Sequence, residues 1–381
     1  MSFALYDPLD AESLSDPAKT YQRLRDTSPA VWHEGLKAWV VTDYLLAQQV
    51  VKNHNVFVAD WRRVGVTIPE PLLSIQSLDP PDHTEMRRHV LDCLPSAKGH
   101  AQEVRAMEFA ADRLDRVRGR EFDVVSEVVR PVALDLASCL LGVTIDDGPA
   151  FSTASDAIVD SMDGGLKPES GDDGPNARSS VNAYITSWSR HAAQDSFVLR
   201  MLQPAGQLPE AWLLNSVRTV LQAAYQSWGR FMGLALLNLI SAGMPVRRMN
   251  DDQLVRAVNE LLRFSSSVQA DARAAVTTTE LGQSTIERGD EIIILHGAID
   301  RDPAVFTDSN EMILDRKHNP HMAFGRGVHS CPGSTFVMQW TCGVIKAFLA
   351  YPEVGLVGNP RWLENASIKG LAELRVAPLN A

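Results

Sequence analysis

Apolar positions recur at helical spacing over most of the chain. The clearest runs are Lys98–Arg118, Ser180–Met201, Glu210–Ser241 and Asp251–Phe264, where apolar residues return every three or four positions and define one buried face. Strand signals are sparse. Ala38–Thr42 (AWVVT) and Glu291–Leu295 (EIIIL) are rich in β-branched and aromatic residues, and a short alternation closes the chain at Leu371–Val376. The pattern predicts a mainly α protein with small β-sheets to one side. Strands and helices do not alternate, which disfavours a doubly wound nucleotide-binding fold. Gly164–Asn176, rich in Gly, Asp, Pro and Ser, reads as a loop between helices.

Composition narrows the classes. The 381 residues are 45% apolar, enough for one large core. No apolar run reaches the roughly 18 residues of a membrane span, and the acidic start (MSFALYDPLDAESLSDP) lacks the basic end and apolar stretch of a signal peptide. The expectation is a cytoplasmic protein without an anchor. A net charge of −11 argues against non-specific nucleic-acid binding. Cys93, Cys139, Cys331 and Cys342 form no regular framework, so neither disulfides nor a structural zinc site is expected.

The chemistry concentrates in Phe324-Gly-Arg-Gly-Val-His-Ser-Cys331-Pro-Gly333. Three glycines allow the backbone to turn tightly and approach a flat ligand. A helix is expected to start near Ser334, and a cysteine just before it would have its thiolate stabilised by the helix dipole and backbone N–H groups. Singly, a Cys is a small hydrophobe and a Gly-x-Gly is a turn; a ten-residue string of this kind is neither.

That string resembles the haem-binding signature of the cytochromes P450, FGxGxHxCxG, at every fixed position, and the resemblance runs from DPPDH near residue 80 to GLAEL near 370. It implies a cytochrome P450 fold in a single haem-containing domain, residues 1–381. It also implies haem b with Cys331 as axial ligand, whose thiolate pushes electron density onto the iron, and Phe324 and Gly325 against the cofactor. In Glu260-x-x-Arg263 the spacing puts both groups on one helix face, and the resemblance implies a buried pair joined by Arg316. His83 and Arg87, four apart behind Asp79 and Pro80, which read as a helix cap and first turn, together with Arg273 and His329, are similar to the family's haem-propionate contacts; a guanidinium fork suits a carboxylate.

The long helix, about 210–241, departs from the family. Where the pattern is Ala-Gly-x-acid-Thr, this chain reads Ala223-Ala-Tyr-Gln226-Ser227. Ser227 keeps a hydroxyl that can orient water, but Gln226 cannot act as a carboxylic acid, so proton delivery is expected to differ. Arg230, one turn beyond Gln226, is a candidate for an anionic substrate group or for an internal pair. Trp228 stands where the family has a small residue and reads as packing. By position in the family pattern the pocket would include Ala223, Ser227, Val268, Gln269 and Ile368, with Val58–Ser77, carrying Trp61, Arg62 and Arg63, as a loop over the haem. Met338 and Trp340 replace the Arg and Glu common beyond the cysteine, leaving Arg326 and Arg88 as positive charge on that side.

The resemblance implies a monooxygenase acting on a small organic substrate, of the kind that tailors natural products in secondary metabolism, with O2 and electrons from a ferredoxin-type donor and its reductase. Two rivals stay open: an oxidase that couples rings without inserting oxygen, and a non-catalytic haem-binding protein.

Overall fold

The computed structural model describes residues 6–167 and 173–379. Helices dominate, with four small sheets among the described residues. The largest sheet has five strands in the order Ala30–His33, Ala38–Val41, Glu291–Leu295, Ala270–Ala275, Phe57–Val58. Only the Ala38–Val41/Glu291–Leu295 pair is parallel. The alternate residues Ile292 and Ile294 are fully buried, as the period of two requires.

The helix that organises the interior runs as Glu210–Gln222, a π-helical turn at Ala223–Ser227, and Trp228–Ser241. Its first part is amphipathic. Its last part is apolar nearly all round and buried on most faces, from Trp228 to Leu236 without interruption. Single widened turns of this type occur where a helix gives up regular hydrogen bonding for a local purpose. Asp251–Ser265 opens on a capping box between Asn250 and Gln253. Ser334–Ala350 packs closely against Ala101–Arg116. A Cβ on Gly343 would come within 2.2 Å of the Glu103 carbonyl oxygen, so only glycine allows that approach.

Several expectations need correction. The run Ser180–Met201 is two helices, Gly174–Ser189 and Phe197–Met201, because the Ser196 hydroxyl accepts from the Leu199 N–H and starts a new helix. The helix expected from Lys98 begins at Ala101, since Gly99 sits at φ +70°. Leu371–Val376 divides into Leu371–Glu373 and Arg375–Pro378, which join different sheets. Gly174–Asn176 belong to a helix rather than a loop, and residues 168–172 of that stretch lie outside the described residues. Asp79 does not cap Asp82–Cys93, because its carboxylate is taken by the Asp60 N–H and by His329. Among the described residues no helix is long and apolar enough to cross a membrane.

Candidate functional site

Gly325 and Gly327 both hold positive φ, at +63° and +72°, and carry the loop back toward the helix at Ser334. A Cβ on Gly327 would meet the Val51 carbonyl oxygen at 2.5 Å. The Cys331 N–H donates to the Phe324 carbonyl at 2.8 Å, which closes the loop on itself. Its thiol borders a cavity of about 240 Å3 with almost entirely apolar walls. Opposite stand Ala223, Ala224 and Ser227 of the π turn; Phe324, Val268, Leu94 and Phe336 also form walls. Burial pushes the Cys331 thiol up, while a Gly333 N–H and the Arg87 charge pull the other way.

Among the described residues no group of three or more His, Cys, Asp or Glu is arranged to hold a metal ion. One thiol on an apolar slot fits a metal that brings its other ligands with it, as iron in a porphyrin does. The cations expected near such a group do gather at the Cys331 loop, although none of them borders the cavity itself. The His83 and His329 rings lie 4.2 Å apart between centroids. Arg87 donates to the Ser330 carbonyl at 2.6 Å. Arg273 pairs with Asp271 at 2.7 Å, and His329 contacts Asp79 at 3.2 Å. Burial, with the His329 and Arg87 charges, pushes His83 down to about 3. His83 is therefore neutral, and the positive charge here is that of Arg87 and of Arg273, the latter already paired with Asp271.

Glu260 and Arg263 form a fully buried, two-point pair at 2.8 and 2.9 Å, and Arg316 reaches Glu260 at 3.0 Å. Arg263 also donates to the carbonyls of Asp300, Ser309 and Glu311, and Arg316 to that of Thr307. The three charges clamp the segment that leads into the cysteine loop.

Not every expected residue meets the cavity. Gln226 faces away from it. Its amide donates to Ser155 Oγ at 2.9 Å and Asp156 Oδ1 at 2.8 Å, and its carbonyl accepts from Arg230 Nε at 3.1 Å. Arg230 is taken up internally by Asn365 and the Ile368 carbonyl, so it offers no charge to the cavity. Gln269 bonds to the Tyr21 hydroxyl and the Ser266 carbonyl. Ile368 pairs with Val268 through the backbone, and only Val268 reaches the wall. Trp228, which does border the cavity, packs on Trp340 and donates to Thr341 Oγ1 at 3.1 Å. The Val58–Ser77 segment contributes nothing to the cavity wall; Asn215, Ser216 and Arg218 tie it to the start of the long helix. Arg326 is engaged by Tyr44 and the Pro320 carbonyl, whereas Arg88 is exposed.

Several contributors were not foreseen, Leu94 and Phe336 among them. Val220 borders the cavity, and its spacing to Ala223, Ala224 and Ser227 is a legible helix-face signal. The Ser267 hydroxyl donates to the Ser227 carbonyl at 2.7 Å, a contact between distant segments that no local pattern announces.

A mainly helical fold with a cysteine on an apolar slot beside a distorted central helix is an arrangement that suits a haem-thiolate protein. Residues 252–346, a quarter of the chain, match the family described as Cytochrome P450. The beta-dihydromenaquinone-9 omega-hydroxylase of Mycobacterium tuberculosis is 26% identical over 99% of this chain and 79% of its own length. The cytochrome P450 monooxygenase PikC of Streptomyces venezuelae is 27% identical over 97% and 92%. The fold is similar to that of CYP109E1 from Bacillus megaterium in complex with testosterone, with a TM-score of 0.87 at 24% identity, covering 97% of this chain and 99% of that one. Over nearly its whole length the chain is similar to cytochromes P450, and its fold is theirs. Members of the family bind haem b through a cysteine thiolate and use O2 and redox partners on small substrates.

Proposed function

We propose that the chain is a monooxygenase that oxidises a small, largely apolar organic molecule, of the natural-product-intermediate type, in one haem domain. The observation that carries this reading is the Cys331 thiol bordering an apolar cavity opposite Ala223 and Ser227. Cys331 would hold the haem iron, and His83, Arg87, Arg273 and His329 would hold its propionates; Phe324 and Ala223 border the same cavity, whereas Gly325 shapes the loop without bordering it. The bound haem supplies oxygen activation. The chain's own residues do the rest. The apolar walls exclude water and select for hydrocarbon surface. The Ser227 hydroxyl has no hydrogen-bond partner among the described residues and is the polar group of the π turn on the cavity, so it can orient a water or hand on a proton there. Ser267 holds the Ser227 carbonyl and thereby the shape of that turn. Glu260, Arg263 and Arg316 keep the cysteine loop in place. Electrons would come from a ferredoxin-type donor and its reductase, docking near the exposed Arg88.

Two measurements test the reading. The reduced, carbonyl-bound spectrum of the purified protein should be of the thiolate type and should be lost in Cys331→His; an imidazole-type spectrum in the parent protein would overturn the site. Product mass under labelled O2 should show one added label. A product lacking label would instead identify an oxidase that couples or desaturates, and absence of turnover with every redox pair despite normal haem would identify a haem-binding protein.

A further inference from the structure

A second cavity, of about 370 Å3, is bordered by Ser15–Ala18, the long helix at Leu234 and Leu237, and Arg301, Trp362 and Lys369. It shares only Ser266 with the Cys331 cavity. Its character is different, because Arg263, Arg301 and Lys369 stand on its walls.

Arg301 is 8% exposed and Lys369 is 9% exposed. Among the described residues neither has a carboxylate partner. Arg301 donates to the Phe264 carbonyl at 3.1 Å and lies over the Phe264 ring, 4.1 Å from its centroid. Lys369 reaches the Ser15 carbonyl only at 3.5 Å and sits 4.8 Å from the Trp362 ring centroid. Ion burial of this kind is costly unless a counter-charge is supplied. Burial, with Arg301 nearby, pushes Lys369 down to about 8. Arg263 also borders the cavity, but its charge is committed to Glu260. Arg25 adds further positive field while donating to the Ala298 carbonyl. Among the described residues the one acid on the wall is Asp16, which is exposed and forms no ion pair with Arg301 or Lys369, although its charge acts on both. Two buried cations against one exposed acid leave room for a single negative charge. A guanidinium fork beside an ammonium suits the two oxygens of a carboxylate, and Leu234, Leu237 and Trp362 offer apolar surface to a carbon skeleton.

We propose that this cavity binds the carboxylate of a small organic monoanion between Arg301 and Lys369. The anion is either the acidic end of a substrate that reaches past Ser266 toward Cys331 or a separate small acid.

The test is calorimetric titration of the full-length, haem-loaded protein with hexanoate, and with hexanamide as its neutral counterpart. Hexanoate should bind at least roughly tenfold more tightly than hexanamide, since a charge-assisted bond to a buried cation is worth about that much. Lys369→Met should weaken hexanoate by roughly the same factor, and Lys369→Arg should retain binding. A change in haem absorbance accompanying the heat identifies the substrate's acidic end; heat without it identifies a separate acid. The site stands in both cases. Equal affinity for acid and amide, no hexanoate heat, or unchanged affinity in a folded Lys369→Met would overturn the proposal. If Lys369→Met does not fold, the acid–amide comparison in the parent protein decides alone.

Discussion

Replacing Glu260 with glutamine isolates the charge at the centre of the clamp. The Glu260 carboxylate is 0% exposed and accepts from Arg263 Nε and Nη2, Arg316 Nε, Asn319 Nδ2 and the Ile313 N–H. Glutamine keeps the shape but turns one oxygen into a donor. The less crowded choice is Oε1, where Arg263 Nη2 and the Ile313 N–H would then face the amide nitrogen. Each buried donor left unmatched costs about 1–3 kcal/mol. Two guanidiniums also lose their counter-charge, and breaking a buried pair in this way costs about 3–5 kcal/mol. Against a total stability of about 5–15 kcal/mol, Glu260→Gln should be severely weakened and should retain less haem on purification. Denaturant midpoints of the parent and variant measure the loss. Asp315→Asn is the control: it breaks the half-exposed Arg256–Asp315 pair one residue before Arg316, where a cost below about 1 kcal/mol is expected. If Glu260→Gln costs no more than Asp315→Asn, burial and satisfied geometry are not what makes the clamp matter.

Asp300 is buried with Oδ2 unpartnered, and burial pushes its carboxyl up to about 7, against the Met322 N–H and the Arg263 and Arg326 charges. The folded state therefore holds a proton that the unfolded chain releases near pH 4, so this contribution to stability is full below about pH 4 and lost as pH rises through 7; Asp300→Asn should flatten that part of the stability–pH curve, and an unchanged slope would refute the assignment. Gln226→Glu places an acceptor against Asp156 Oδ1, which now lies 2.8 Å from the amide, and should cost about 1–2 kcal/mol of stability by thermal melting while leaving ligand-induced spectral shifts intact. Ser227→Ala should leave those shifts unchanged and lower the ratio of product to reductant consumed, measured by parallel product and NAD(P)H assays; an unchanged ratio would remove Ser227 from the proton path.

The elements legible in the sequence are those set by near neighbours. The ten residues ending at Gly333 carry their own turn chemistry, and Glu260 and Arg263 share a face because three residues make most of a helical turn. The long helix from Glu210 to Ser241 announces itself by period alone, and its bounds agree with the structure. What the period leaves open is which way a side chain points once a turn is widened. Gln226 looks like a cavity residue in sequence, yet the π turn and the polar groups of Ser155 and Asp156, seventy positions away in the chain, draw it to the opposite side. The same holds for Asp79, taken by Asp60 and His329 instead of capping a helix, and for Leu371–Val376, split between two sheets by partners at Arg361–Trp362 and Phe122–Asp123. Local pattern selects a conformation because its energetics are short-ranged. The facing of each polar group is selected by hydrogen-bond partners that only the packed chain brings within 3 Å, and the pairing of Arg301 with Lys369 beside one cavity is likewise a product of packing alone.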